Sequence, residues 1–172
     1  MKGKALLLGS ALLAALACKK APEKIPAIPA APSPQTVFVV LTFPGDDLLL
    51  HRETRELPEL PASPEAQAKV LLQELFAGPR GPFAPVAWWP VEVTEVYYDG
   101  AGAFFVDLFP PPPTTVGSEG ELALQAAVAT TLALNVKEAK RVQLLFSGKE
   151  VATLGHLDFS RPTPPRWDFL AP

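Results

Sequence analysis

Ser118-Glu119-Gly120-Glu121-Leu122-Ala123-Leu124-Gln125-Ala126-Ala127-Val128-Ala129-Thr130-Thr131-Leu132-Ala133-Leu134, followed by Arg141-Val142-Gln143-Leu144-Leu145-Phe146, is the stretch against which the rest of this chain packs. Ser118 and Glu121 have the spacing of a capping box, in which a serine hydroxyl covers an orphan amide and a glutamate reaches back to the helix start. A helix is predicted from there. Leu122, Ala126, Ala129 and Ala133 recur at steps of four, three and four, so they share one face, and alanines let that face approach a flat surface closely. Val142, Leu144 and Phe146 alternate with Arg141, Gln143 and Leu145 and supply part of that surface as a strand ended by Gly148. No titratable side chain is expected on the packed face.

The composition sets the bounds. A chain of 172 residues is the size of one domain with a core of its own, and 48% hydrophobic residues are more than a disordered chain carries, despite 21 prolines. From Gln35 onward, ten basic residues face seventeen acidic ones. An acidic surface repels phosphate backbones, so nucleic acid is excluded as a partner. Asn135 is the only asparagine. That scarcity, with proline-rich loops, fits a thermophilic source or a biased genome composition.

The N-terminus reads as an address. Met1 to Lys4 is basic, Ala5 to Leu16 is apolar but short for a membrane span, and Ala15-Leu16-Ala17-Cys18 closes the segment. Residues 1–17 are expected to be a signal peptide. The closing four residues resemble a bacterial lipobox, which implies that Cys18, the sole cysteine, is lipidated; Ala15-Leu16-Ala17 also satisfies the rule for ordinary signal cleavage. Residues 18–34 follow as a lipid-anchored linker. Pro22, Pro26, Pro29, Pro32 and Pro34 favour polyproline II, which at about 3.1 Å per residue reaches roughly 50 Å. Lys19, Lys20 and Lys24 suit an anionic leaflet.

Residues 35–172 are the expected domain. Thr36 to Thr42, a Pro44-Gly45-Asp46-Asp47 turn and Leu48 to Arg55 form a hairpin. Ser63 and Pro64 open a helix whose stripe is Ala68, Leu71, Leu72, Leu75 and Phe76, and Gly78-Pro79 ends it. After a loop from Gly81 to Pro90, Val91, Val93 and Tyr97 alternate as one face of a third strand. Asp99-Gly100 turns into a fourth strand, Ala103 to Leu108. The order is ββαββαβ with a closing extended segment, a single α/β (α+β) domain whose mixed sheet carries two helices.

Several pieces in this order resemble the GerMN-domain family of envelope lipoproteins of sporulation and germination. They are Leu72-x-x-Leu75-x-x-Gly78-Pro79, Asp99-Gly100 into Phe105-Val106-Asp107-Leu108, Thr130-Thr131-Leu132, and Val142-Gln143-Leu144-Leu145 up to Gly148. His156-Leu157-Asp158 and Ser160-Arg161-Pro162 continue the likeness. The resemblance implies a fold similar to the ring-building modules of secretion and sporulation complexes, and a non-catalytic envelope protein held on the extracytoplasmic face of a membrane. Pro110 to Pro113 lengthens the loop before the second helix, and one copy is present where the sporulation protein carries two.

Candidate chemistry is sparse. His51 and His156 are the only histidines and lack metal-ligand spacing, so neither a metal nor another cofactor is expected. Asp107 and Asp158 have the chemistry of general bases but stand beside no nucleophile motif, and Asp107 is expected to bond amides of the loop after its strand. Thr130 and Thr131 suit either a polar contact or a hydroxyl returned to the helix backbone. Trp88-Trp89, with Phe83 and Pro85, lies outside any periodic element, so one indole is expected to stay exposed for contact with a protein or a sugar. The expected function is binding of another envelope protein, in an assembly or scaffold role that includes homo-oligomers. The alternative is a peptidoglycan-binding module that recruits or regulates a wall hydrolase. A free strand edge favours the first, and a groove joining Trp88 or Trp89 to Asp107 the second.

Overall fold

The computed structural model describes residues 36–172. The signal peptide, Cys18 and the proline-rich linker lie outside the described residues. The described part is one compact α+β domain arranged as two sheets around a central helix. Strands β1 (Thr36–Pro44) and β2 (Leu50–Pro58) form an antiparallel hairpin, and helix α1 (Pro64–Phe76) follows. Strands β3 (Glu92–Tyr98), β4 (Ala103–Phe109), β5 (Arg141–Phe146) and β6 (Lys149–Glu150) make a four-stranded sheet in that order, with helix α2 (Ser118–Asn135) between β4 and β5. β4 and β5 run parallel and the other pairs antiparallel, so this sheet is mixed as expected. A parallel pair needs a crossover, and α2 is that crossover.

The hairpin does not join the larger sheet. Its β1 edge is closed by α2 instead: Val40 N–H donates to Asn135 Oδ1 at 2.9 Å, Asn135 Nδ2 donates to Val40 O at 2.7 Å, and Thr42 N–H donates to Thr131 Oγ1 at 3.0 Å. The match is one of pitch. Residues four apart on a helix rise about 6 Å, close to the roughly 6.6 Å between alternate residues of a strand, so two side chains one turn apart serve two successive outward-facing residues of β1.

The helix α2 differs from its sequence reading in three ways. Burial from Ala126 to Leu132 is complete or nearly so around the axis, while Leu122 and Ala133 are only half-buried. One apolar stripe does not suffice because α2 meets β1, β5 and α1 on different sides. The N-cap is Gly117 and no side chain caps it, which puts Glu121 four residues into the helix, beyond reach of a capping box. Glu121 turns inward, fully buried, and accepts from the His156 amide at 2.9 Å and the Leu157 amide at 2.5 Å. A titratable group therefore lies on the packed face, placed to satisfy amides of an otherwise unpaired segment.

A bulge between Val93 and Glu95 shifts the phase of β3. Val96 faces the core, Tyr97 is exposed, and Tyr98 stacks on Phe104 at 4.7 Å. The turn after β5 holds Ser147 at φ 54° and Gly148 at φ 72°, the geometry of a tight hairpin twisting with its strands. Residues 159–171 then strap the domain. Phe159 is buried, Thr163 bridges Val142, Arg166 N–H donates to Thr130 Oγ1 at 3.1 Å, and Ala171 N–H donates to Leu50 O at 2.9 Å.

Candidate functional site

The turn between β1 and β2 and the loop Gly81 to Pro90 build one groove. Asp46 and Asp47 start the turn, and its closing bonds are Gly45 N–H to Leu49 O at 2.8 Å and Leu48 N–H to Gly45 O at 3.1 Å. Leu48 therefore belongs to the turn, not to β2, and sits at φ 64°, a left-handed conformation costly for a side chain with a Cβ. A Cβ on Gly45 would lie 2.6 Å from the His51 ring, so only glycine fits there. His51 Nε2 donates to Asp47 Oδ1 at 2.9 Å, and this bond above all holds the Asp47 carboxyl below the usual aspartate range.

The loop is pinned at four places, to the hairpin and to the residue after β4. The amides of Arg80 and Gly81 donate to Glu53 at 2.8 and 2.9 Å, the Phe83 ring stacks on His51 at 5.1 Å, Ala84 N–H donates to Pro44 O at 2.9 Å, and Trp89 Nε1 donates to Pro110 O at 3.1 Å. Glu53 itself is fixed by Arg55, a buried guanidinium that also reaches Glu74 and the Gly78 carbonyl at the end of α1. The loop lacks regular structure yet is held at both ends.

Between turn, loop and the start of α2 lies a cavity of about 240 Å³. Pro44, Leu48, Pro85, Trp88 and Trp89 line it, with Glu119 from the first turn of α2. The two indoles meet edge to face at 5.6 Å. Trp89 is buried, whereas Trp88 is 58% exposed and Leu48 63%. Sequence reading singled out the tryptophans but missed Leu48 and Glu119. The signal for Leu48 was Leu48-Leu49-Leu50 directly after two aspartates, since three successive leucines cannot all face one core.

The remaining expected residues lie elsewhere. Asp107 does not line the groove. Its Oδ1 accepts from Gly148 N–H at 2.7 Å and its Oδ2 from the Thr94 hydroxyl at 2.7 Å, so it secures the turn after β5 and not the loop after β4. The reason is the parallel β4–β5 pairing, which sets the ends of both strands side by side. Thr130 and Thr131 are fully buried. Thr130 accepts from Arg166 N–H and Thr131 from Thr42 N–H, and neither hydroxyl reaches the surface. Asp158 caps its own turn through Ser160, whose hydroxyl and amide lower the Asp158 pKa. His156 Nδ1 faces two acceptors, Val116 O at 3.2 Å and Glu121 Oε1 at 3.4 Å, and so carries a proton. Among the described residues no three His, Cys, Asp or Glu side chains converge as a metal site would require. A second opening, of about 320 Å³ between Gln73, Phe76 and Val91, gathers none of the expected residues.

The domain is similar to known structures. One is a candidate lipoprotein from Clostridium perfringens, at 17% sequence identity and a TM-score of 0.54, covering 76% of this chain and 87% of that one. Another is the tandem GerMN domains of the sporulation protein GerM from Bacillus subtilis, at 19% identity and a TM-score of 0.56, covering 76% of this chain and 46% of that one. At such identities the likeness is one of fold. No curated protein matches the chain in sequence. The family model described as Germane, sporulation and spore germination, matches residues 40–152 and stops short of the closing segment in which the sequence likeness was also read. That match spans more than half of the 172 residues and includes the second half of β1, all of β2, both helices and the four-stranded sheet, and on it the chain belongs to the Germane family of sporulation and germination proteins with a GerMN-type domain.

Proposed function

We propose that the protein is a non-catalytic envelope lipoprotein, anchored through Cys18, whose GerMN-type domain binds another envelope protein through the Leu48–Trp88 groove. One observation carries this reading: Leu48 keeps a large apolar side chain 63% exposed at a backbone position that favours glycine, against an indole 58% exposed. Strain of this kind costs about 1–3 kcal/mol and persists where surroundings impose it or function uses it. Contiguous apolar side chains in water mark contact surfaces.

Strand addition is the poorer route. The β1 edge is closed by Thr131 and Asn135, and the β3 edge carries a bulge, exposed Glu92 and Glu95, and Lys69 Nζ donating to Thr94 O at 2.7 Å. A glycan site is also the poorer fit, because Glu119 is the only charged side chain among the described residues lining the groove, the Trp88 indole N–H adds a single donor, and sugars need several convergent hydrogen bonds.

Photocrosslinking of the full chain in its own cells tests the reading. A crosslinker at Leu48 is expected to capture one defined envelope protein, and the same group at Tyr97, exposed on the other sheet, to capture none. Equal capture at both positions, or adducts only with wall fragments, overturns it.

A further inference from the structure

The groove is small for a complete ligand. Sites that enclose small molecules run from roughly 300 to 1,000 Å³, and this one, at about 240 Å³, takes one or two side chains of a longer segment. Its walls are aromatic and prolyl, from Trp88, Trp89, Pro44 and Pro85. Aromatic-lined grooves of this kind suit polyproline II, which arrives already extended and leaves its carbonyls without internal partners. The Trp89 indole N–H is engaged by Pro110 O. Trp88 lines the groove 58% exposed, and its indole N–H donates to no described residue, which leaves it for such a carbonyl.

Charge decides the rest of the occupant. Glu119 lines the groove, Asp46 and Asp47 stand on the turn beside Leu48, and no lysine or arginine lines it. Among the described residues neither Glu119 nor Asp46 has an ion-pair partner, while Asp47 is engaged by His51. Glu119 lies in the first turn of α2, on the exposed side of the helix start and beside the groove, where a cation can reach it.

Resting on the groove reading above, we propose that the partner segment is an extended, proline-containing peptide with a lysine or arginine flanking the proline, the ring against Trp88 and the cation against Glu119. The test is fluorescence anisotropy of the full chain with three labelled nonapeptides. The first is Ala-Lys-Pro-Ile-Pro-Lys-Ile-Pro-Ala; the second replaces its lysines by glutamate, and the third its prolines by alanine. The first is expected to bind about tenfold more tightly than either other, as one anchor contact and one charge pair allow. Trp88→Ala is expected to remove that preference, and Glu119→Lys to invert the order of the first two peptides. Because both side chains are at the surface, both variants should remain folded at the assay temperature, with only a small fall in melting temperature for the charge reversal at the start of α2, which excludes unfolding as the cause.

Equal binding of the three peptides, or an unchanged affinity in Trp88→Ala, overturns the inference. If no peptide binds while the Leu48 crosslink persists and disappears in Trp88→Ala, this inference fails and the groove reading stands. If that crosslink survives Trp88→Ala, both fail. Sedimentation with protein-free peptidoglycan sacculi that depends on Trp88, without peptide binding, overturns both in favour of a wall glycan.

Discussion

Leu48 is the residue at which stability and binding pull apart. Its φ of 64° is easy for glycine and costly for leucine, so Leu48→Gly is expected to stabilise the fold by about 1 kcal/mol while weakening partner capture. Urea denaturation and the crosslinking assay read the two effects separately; a destabilised Leu48→Gly would contradict the argument. Thr131 is the reverse case, a side chain needed only inside. Thr131→Val keeps the shape but leaves the Thr42 amide without its acceptor in the core, at a cost of about 1–3 kcal/mol. Glu53 gives the fold a pH dependence. Burial pushes its pKa up, but the Gly81 amide, the Arg55 guanidinium and the Arg80 amide together outweigh burial and hold it below the ordinary glutamate value. A lowered folded pKa means the contribution is fully present above the unfolded value and is lost as pH falls through the folded one. Stability curves measured over roughly pH 3 to 6 should therefore fall less steeply with acid in Glu53→Gln than in the parent. Superimposable acid limbs would refute the assignment.

Among the elements, those set by local rules were legible and those set by distant partners were not. Ser63 caps α1 through the Ala66 amide and Pro64 opens it, as residue preference alone implies. The strands β4 and β5 follow from alternation. The hairpin was legible as a pair of strands, but its separation from the main sheet was not, because that depends on Thr131 and Asn135 lying 89 and 95 residues from their partners on β1. Glu121 was misread for the same reason, since the amides it serves lie 35 and 36 residues away. At the site, adjacent tryptophans in a loop were a usable signal. The turn leucine carried a weaker one, because three successive leucines cannot all face one core, yet the run Leu48 to Arg55 also reads as strand and hides which of the three turns outward. The seam between β1 and α2 has its own test. In a Thr131→Val, Asn135→Ala double variant, the Val40 and Thr42 amides are expected to exchange with solvent far faster, with β4 and β5 still protected. Uniform loss of protection would mean that the hairpin is not a separable unit.

At the scale of the molecule, two sheets that share no strand pairing are held by α2 and by the strap of residues 159–171. Phe159, 1% exposed, is the strap's anchor. Phe159→Ala is expected to cost about 3–5 kcal/mol in urea denaturation, as for other buried aromatics cut to alanine. A loss below about 1 kcal/mol, the size of a typical surface change, would mean the strap merely lies on the core. The strap also bears on synthesis. Leu50, where the second strand begins, is completed by Leu170 and Ala171, so a chain still short of those residues leaves its earliest hairpin unfinished. The first strand edge to be made is thus among the last to be closed, and a chain cut before Leu170 is expected to lose protection at the start of β2 before the rest of the domain, which limited proteolysis would read.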